Sequence, residues 1–144
     1  MQKKLQNRKN IIRYLDTAHS WAVRLEHTDA WRQTKCYTCD RLLDIQYQAQ
    51  CGHFRKRGDS TVRYDFNNCR VQCSGCNSNL GGNLKEFEKR LRAEIGDTKV
   101  AIVIRESHRT KKWSDSELYA LLQERRVYCK QLSKLRGIPL PSYV

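Results

Sequence analysis

Residues Gln72–Asn83 read Q-C-S-G-C-N-S-N-L-G-G-N. Cys73 and Cys76 stand at the spacing with which one short turn presents two thiolates to a metal ion, and Cys36-Tyr37-Thr38-Cys39 repeats that spacing upstream. Two such pairs complete a tetrahedral set. A zinc ion on Cys36, Cys39, Cys73 and Cys76 would close residues 40–72 into one loop. Its role would be structural, because four thiolates leave zinc no open position for chemistry. Zinc has no use for the asparagine that follows, so the stretch also asks what Asn77 holds.

Composition narrows the answer. The chain has 144 residues, enough for one domain with a modest core. Its 28 Lys and Arg against 15 Asp and Glu give a formal charge of +13. That exceeds what solubility asks of a small domain and points to a polyanionic partner, nucleic acid first. The longest aliphatic run, Val100–Ile104, is too short for a membrane span or a signal core. The expected compartment is therefore a reducing cytoplasm, where closely spaced cysteines serve metals rather than disulfides. The count of seven cysteines, which is odd, agrees.

Along the chain, Ile11, Ile12, Leu15, Ala18, Ala22, Val23 and Leu25 fall at roughly helical spacing among basic residues. They predict a basic helical arm within residues 1–33, broken near Thr17. Leu43, Ile45, Tyr47 and Ala49 alternate with polar residues, the pattern of a half-buried strand leading to Phe54. R-K-R-G-D-S-T-V-R at 55–63 reads as an exposed basic loop. After Gly81 and Gly82, the spacing of Leu84, Phe87, Leu91 and Ile95 predicts a helix that Gly96 stops, ending a core of residues 34–96. In residues 97–144, the β-branched Thr98–Arg105 predicts a strand. S-D-S-E at Ser114–Glu117 opens a last helix, which Pro139 and Pro141 end. The whole is one α+β domain over residues 1–144. Cys129 falls on the apolar face of that last helix and reads as core.

Three polar residues lie in or beside the loop that zinc would close. Hydrolysing a phosphodiester needs an activated water, a cation for the developing charge and a rigid frame. His53, at the end of a predicted strand, is the workable base near neutral pH. Asn68, just before a helical turn, can orient its ring through a side-chain amide. Asn77, on that turn, offers a hard oxygen to Mg²⁺ or Mn²⁺. A rival assigns Cys51 and His53, in Cys51-Gly52-His53, to the zinc itself.

The order C-Y-T-C, G-H-F, N-N-C-R-V-Q-C-S-G-C-N resembles the zinc-braced ββα-metal core of HNH (His-Me finger) nucleases. More narrowly, Q-C-G-H-F-R-K-R-G, V-R-Y-D-F-N-N and Q-C-S-G-C-N-S-N-L-G-G-N, over about residues 34–135, are similar to the NinG/Rap recombination proteins of lambdoid phages. The resemblance implies a small ββα-metal core with flanking N- and C-terminal helices. It implies His53 as general base, Asn68 rather than Asn67 as its orienter, and Asn77 as ligand of the catalytic Mg²⁺ or Mn²⁺. In the broad HNH pattern an acidic metal ligand often precedes the base. Here that place is Gly52, so another donor is expected, with Asp65, Asp59 and Asn83 as candidates; Asn83 reads equally as a helix N-cap.

The resemblance further implies an endodeoxyribonuclease acting on Holliday junctions and other branched DNA, working in the host cytoplasm if phage-encoded. Arg55, Lys56, Arg57 and Arg63 leave directly from His53 and are expected on flanking phosphates. Cations of the N-terminal helix and of the C-terminal segment, Arg125 among them, would extend that contact. A homodimer joined through Leu118–Leu135 would suit a four-way junction, the same helix reading equally as intramolecular core. The alternative is a non-catalytic, zinc-dependent nucleic-acid-binding accessory protein of recombination. A nuclease that cuts RNA is a third reading.

Overall fold

The structure, a computed structural model, describes residues 7–29, 31–58 and 61–144. Helix α1 (Arg8–Glu26) starts where the Asn7 side chain accepts from Lys9 N. It runs unbroken through Thr17, whose hydroxyl donates to Arg13 O one turn back instead of interrupting the ladder. The expected break is absent.

Short strands follow in two antiparallel pairs. Strands β1 (Gln33–Lys35) and β2 (Leu42–Asp44) pair with Thr34 opposite Leu43. Strands β3 (Gln50–His53) and β4 (Cys69–Gln72) pair with His53 opposite Cys69 and Cys51 opposite Val71. The single strand read through Leu43–Ala49 is thus two strands joined by a turn. Asp44 Oδ1 accepts from Gln46 N and Tyr47 N, which bends the chain out of β2. Leu43, Ile45 and Ala49 are buried as the alternation predicts, whereas Tyr47 stands 80% exposed on the outside of the turn.

Helix α2 (Leu84–Ile95) ends at Gly96 (φ 86°), where a second correction begins. Residues 97–107 form helix α3 (Asp97–Ser107), not a strand. Val100, Val103 and Ser107 are buried at intervals of three and four, and the two valines pack with Phe87 and Leu91 of α2 and with Phe54 and Val62. Propensity is a weak prior, and burial of this face overrides it.

Helix α4 (Asp115–Arg136) begins with the full Ser114/Glu117 capping box and ends at Gly137 (φ 66°), two residues before the expected Pro139 stop. It lies along α1. Leu118 and Leu122 pack with Ile11, Leu15 and Ala18, while Cys129 and Leu132 pack with Trp21, Ala22 and Leu25. Its apolar face is therefore spent inside the chain, Cys129 included. Among the described residues no helix is long and apolar enough to cross a membrane.

Candidate metal centre and active site

The turn between β1 and β2 carries Cys36 and Cys39; the chain leaving β4 carries Cys73 and Cys76, the latter in a π-helical turn at Gly75–Asn79. Their four sulfurs lie within 4.8 Å of one another. Cys39 and Cys73 are 3.8 Å apart, and a tetrahedral ion about 2.3 Å from each sulfur sets ligands roughly 3.8 Å apart. Cys76 N donates to Cys73 Sγ at 3.4 Å, and Asn83 Nδ2 lies 3.8 Å from Cys76 Sγ. Gln72, fully buried on β4, ties the two halves together by donating to Thr38 Oγ1 (3.0 Å) and Gly82 O (2.8 Å). The group is one that could hold a metal such as zinc.

Beside it, α1 and β3 flank a cavity of about 300 Å³ lined by Asp16, His19, His53, Arg57, Arg63 and Asn77, among others. His53 Nε2 sits 3.0 Å from Arg63 O. A carbonyl only accepts, so Nε2 carries the proton and Nδ1 keeps its lone pair. Burial holds the His53 pKa below the ordinary imidazole value; the Arg63 carbonyl opposes that and the Arg57 charge adds to it. The ring is neutral near pH 7.

Asn68 does different work from the orienting role expected of it. Its Oδ1 accepts from Arg55 N (2.7 Å), and its Nδ2 donates to Arg55 O and Val62 O (both 3.1 Å). Both amide hydrogens are spent on backbone, so Asn68 clamps the two ends of the basic loop. The ring is oriented by the Arg63 carbonyl, which that clamped loop presents.

Asn77 Nδ2 donates to Gln50 Oε1 at 2.9 Å, which fixes the amide at the edge of the cavity. The other oxygen candidates lie elsewhere. Asp65 accepts from Asn67 N and caps the 3-10 turn at Phe66–Asn68. Asn83 is at the four-cysteine group and, though it precedes α2, makes no side-chain cap bond. Asp59 is outside the described residues. Gly52 has no room for a carboxylate: a Cβ there would stand 2.1 Å from Gln72 Oε1 and 2.7 Å from its Cδ.

The carboxylate in the cavity is one that reading the sequence missed. Asp16 of α1 accepts from Arg57 Nη2 (2.5 Å), Arg63 Nη2 (2.6 Å) and Tyr64 OH (3.0 Å). Nothing local marks it, since an acid on the polar side of a basic helix looks like solvated surface. His19 was missed for the same reason. It is buried, with Nε2 3.4 Å from Cys69 Sγ and Nδ1 accepting from Arg125 Nε at 3.1 Å. Burial, then the charge of Arg125, then that of His53 push its pKa down to about 3.

Of the cations expected on DNA, Lys56 is exposed and Arg55 donates to Ser107 Oγ at 3.2 Å. Arg57 and Arg63 are paired with Asp16. Arg125 is buried and belongs to the core, donating also to Tyr64 O at 3.0 Å. Cys51 and His53 do not join the four-cysteine group; with His19 and Cys69 they form a separate one.

A family model described as Bacteriophage Lambda NinG protein matches residues 1–135. Among curated proteins, the ninG protein of Salmonella phage P22 is 32% identical over 108 residues, covering 73% of this chain and 49% of its own length. The ninG protein of Escherichia phage lambda is 30% identical over 107 residues, covering 74% and 50%. This chain thus spans about half the length of the curated relatives it matches. No solved structure matches it.

Proposed function

The chain belongs to the bacteriophage NinG family, and on that premise we propose that it is a metal-dependent endodeoxyribonuclease cutting Holliday junctions and related branched intermediates of phage recombination. The observation that carries the reading is His53 itself: a neutral imidazole in a cavity, its Nε2–H held by the Arg63 carbonyl, its Nδ1 free to take a proton from water. The β3–β4 pair, the turn that carries Asn77 and helix α2 follow one another as the ββα-metal core would require.

A divalent cation, when bound, would stabilise charge on the phosphate and on the leaving 3′-oxygen. The donors that fit it are hard oxygens, the Asn77 amide and the Asp16 carboxylate, few enough that substrate phosphates and water would complete its shell. Asp16 is now neutralised by Arg57 and Arg63. Phosphates compete for the same guanidiniums, so bound DNA would draw Arg57 and Arg63 outward and release the carboxylate. Arg55 and Lys56 extend the contact along the backbone, which positions a strand without reading its sequence. A homodimer would bring two such sites to the two strands of a junction.

The test is cleavage of a labelled four-way DNA junction beside a linear duplex of matching sequence, in Mg²⁺, with wild type and His53→Ala. Preferential nicking of the junction by wild type, and binding without nicking by the variant, is the expected result. Binding by both with cutting by neither across several divalent metals would overturn it. That outcome would favour a zinc-dependent binding module, a reading that His53's place in a Cys/His group also supports. Competing RNA substrates separate the third possibility.

A further inference from the structure

We propose that Cys51, Cys69 and His53 form a second site, specific for a soft divalent metal such as Zn²⁺ and independent of the four-cysteine centre. Cys51 and His53 are two apart on β3, so their side chains leave the same face, and His53 is paired directly with Cys69 on β4. The three donors therefore share one face of the pair. With His19 from α1, their ligand atoms all lie within 4.8 Å of one another.

The ring tautomers say which members are ligands. A metal-bound histidine gives its other N–H to a carbonyl or carboxylate. His53 meets that condition, with Nε2–H on the Arg63 carbonyl and a lone pair left on Nδ1. His19 does not: Arg125, which can only donate, occupies its Nδ1, so the proton is on Nε2 and points at Cys69 Sγ. His19 is thus a hydrogen-bond donor to Cys69 Sγ and not a ligand, and the ligands are two sulfurs and one nitrogen. Thiolate and imidazole select zinc over magnesium. Two thiolates neutralise the ion, and a three-ligand set leaves one position open. Cys51 and His53 line the 300 Å³ cavity, which gives that position a way to solvent. This reading does not depend on nuclease activity, but it bears on it. One lone pair cannot hold zinc and accept a proton from water, so a filled site is an off state of the proposed enzyme.

The experiment counts metal in the full chain purified with zinc and passed through a mild chelator. Wild type is expected to carry two zinc ions and the Cys51→Ser/Cys69→Ser variant one, with unchanged far-ultraviolet circular dichroism. Cadmium exchanged into wild type should give two NMR resonances, one in the range of four-sulfur sites and one in that of mixed sulfur–nitrogen sites. A single ion and a single four-sulfur resonance in wild type would overturn the proposal whether or not the variant folds. So would two ions retained by the variant.

Discussion

Replacing Asn68 by aspartate separates the loop clamp seen in the structure from the ring-orienting role that the family resemblance implied. As an orienter of His53, the residue needs only an accepting oxygen, which aspartate supplies. As a clamp it needs two N–H donors, one on Arg55 O and one on Val62 O, and aspartate replaces the amide nitrogen that supplies both with an oxygen facing two carbonyls. Asn68→Ala removes three hydrogen bonds, each worth about 0.5–1.5 kcal/mol net, so its cost is roughly 1.5–4.5 kcal/mol. Asn68→Asp keeps the bond from Arg55 N but adds repulsion at a fully buried position and should cost at least as much. In a chain of this size that lowers the melting temperature by about 10 °C. Urea unfolding in zinc-containing buffer, followed by tryptophan fluorescence, measures it. An aspartate variant within about 0.5 kcal/mol of wild type would refute the clamp, since the loss of the two donated bonds alone should cost about 1 kcal/mol or more.

Other consequences follow from the same geometry. Gly52→Ala would drive a methyl group into Gln72 and break its bonds to Thr38 and Gly82, at a cost of about 2–4 kcal/mol by denaturant titration; a neutral effect would show that Gln72 can turn aside. Because the folded-state pKa of His19 is about 3 against an unfolded value of 6.5, its contribution to stability is complete above pH 6.5 and is lost as pH falls towards 3. Between pH 7 and pH 5 this amounts to about 2 kcal/mol, read as the excess acid sensitivity of wild type over His19→Gln. Stripping metal from the four-cysteine centre should unfold residues 34–96, because structural zinc supplies roughly 10–16 kcal/mol in small domains against a total stability of about 5–15. An unchanged thermal midpoint in excess chelator would refute this. Junction affinity should fall with salt at about one log–log unit per phosphate contacted, and Lys56→Gln should reduce that slope by about one.

Features that depend on local spacing are legible in the order of residues alone. The two Cys-x-x-Cys turns, the α2 periodicity closed by Gly96 and the Ser114–Glu117 capping box are each written within a few residues, and each stands in the structure as read. The strand expected over Thr98–Arg105 is a helix because β-branched composition is local while the burial of Val100 and Val103 against Phe87 and Leu91 is not. What surrounds His53 was decided by tertiary structure alone. Asp16 and His19 reach it from α1, 37 and 34 positions earlier in the chain, and Arg125 reaches His19 from α4. Only the packing of α1 between β3–β4 and α4 makes these side chains neighbours. Burial then holds the pKa values of His19 and His53 below that of an ordinary imidazole, so both rings enter any chemistry here as neutral groups with defined tautomers.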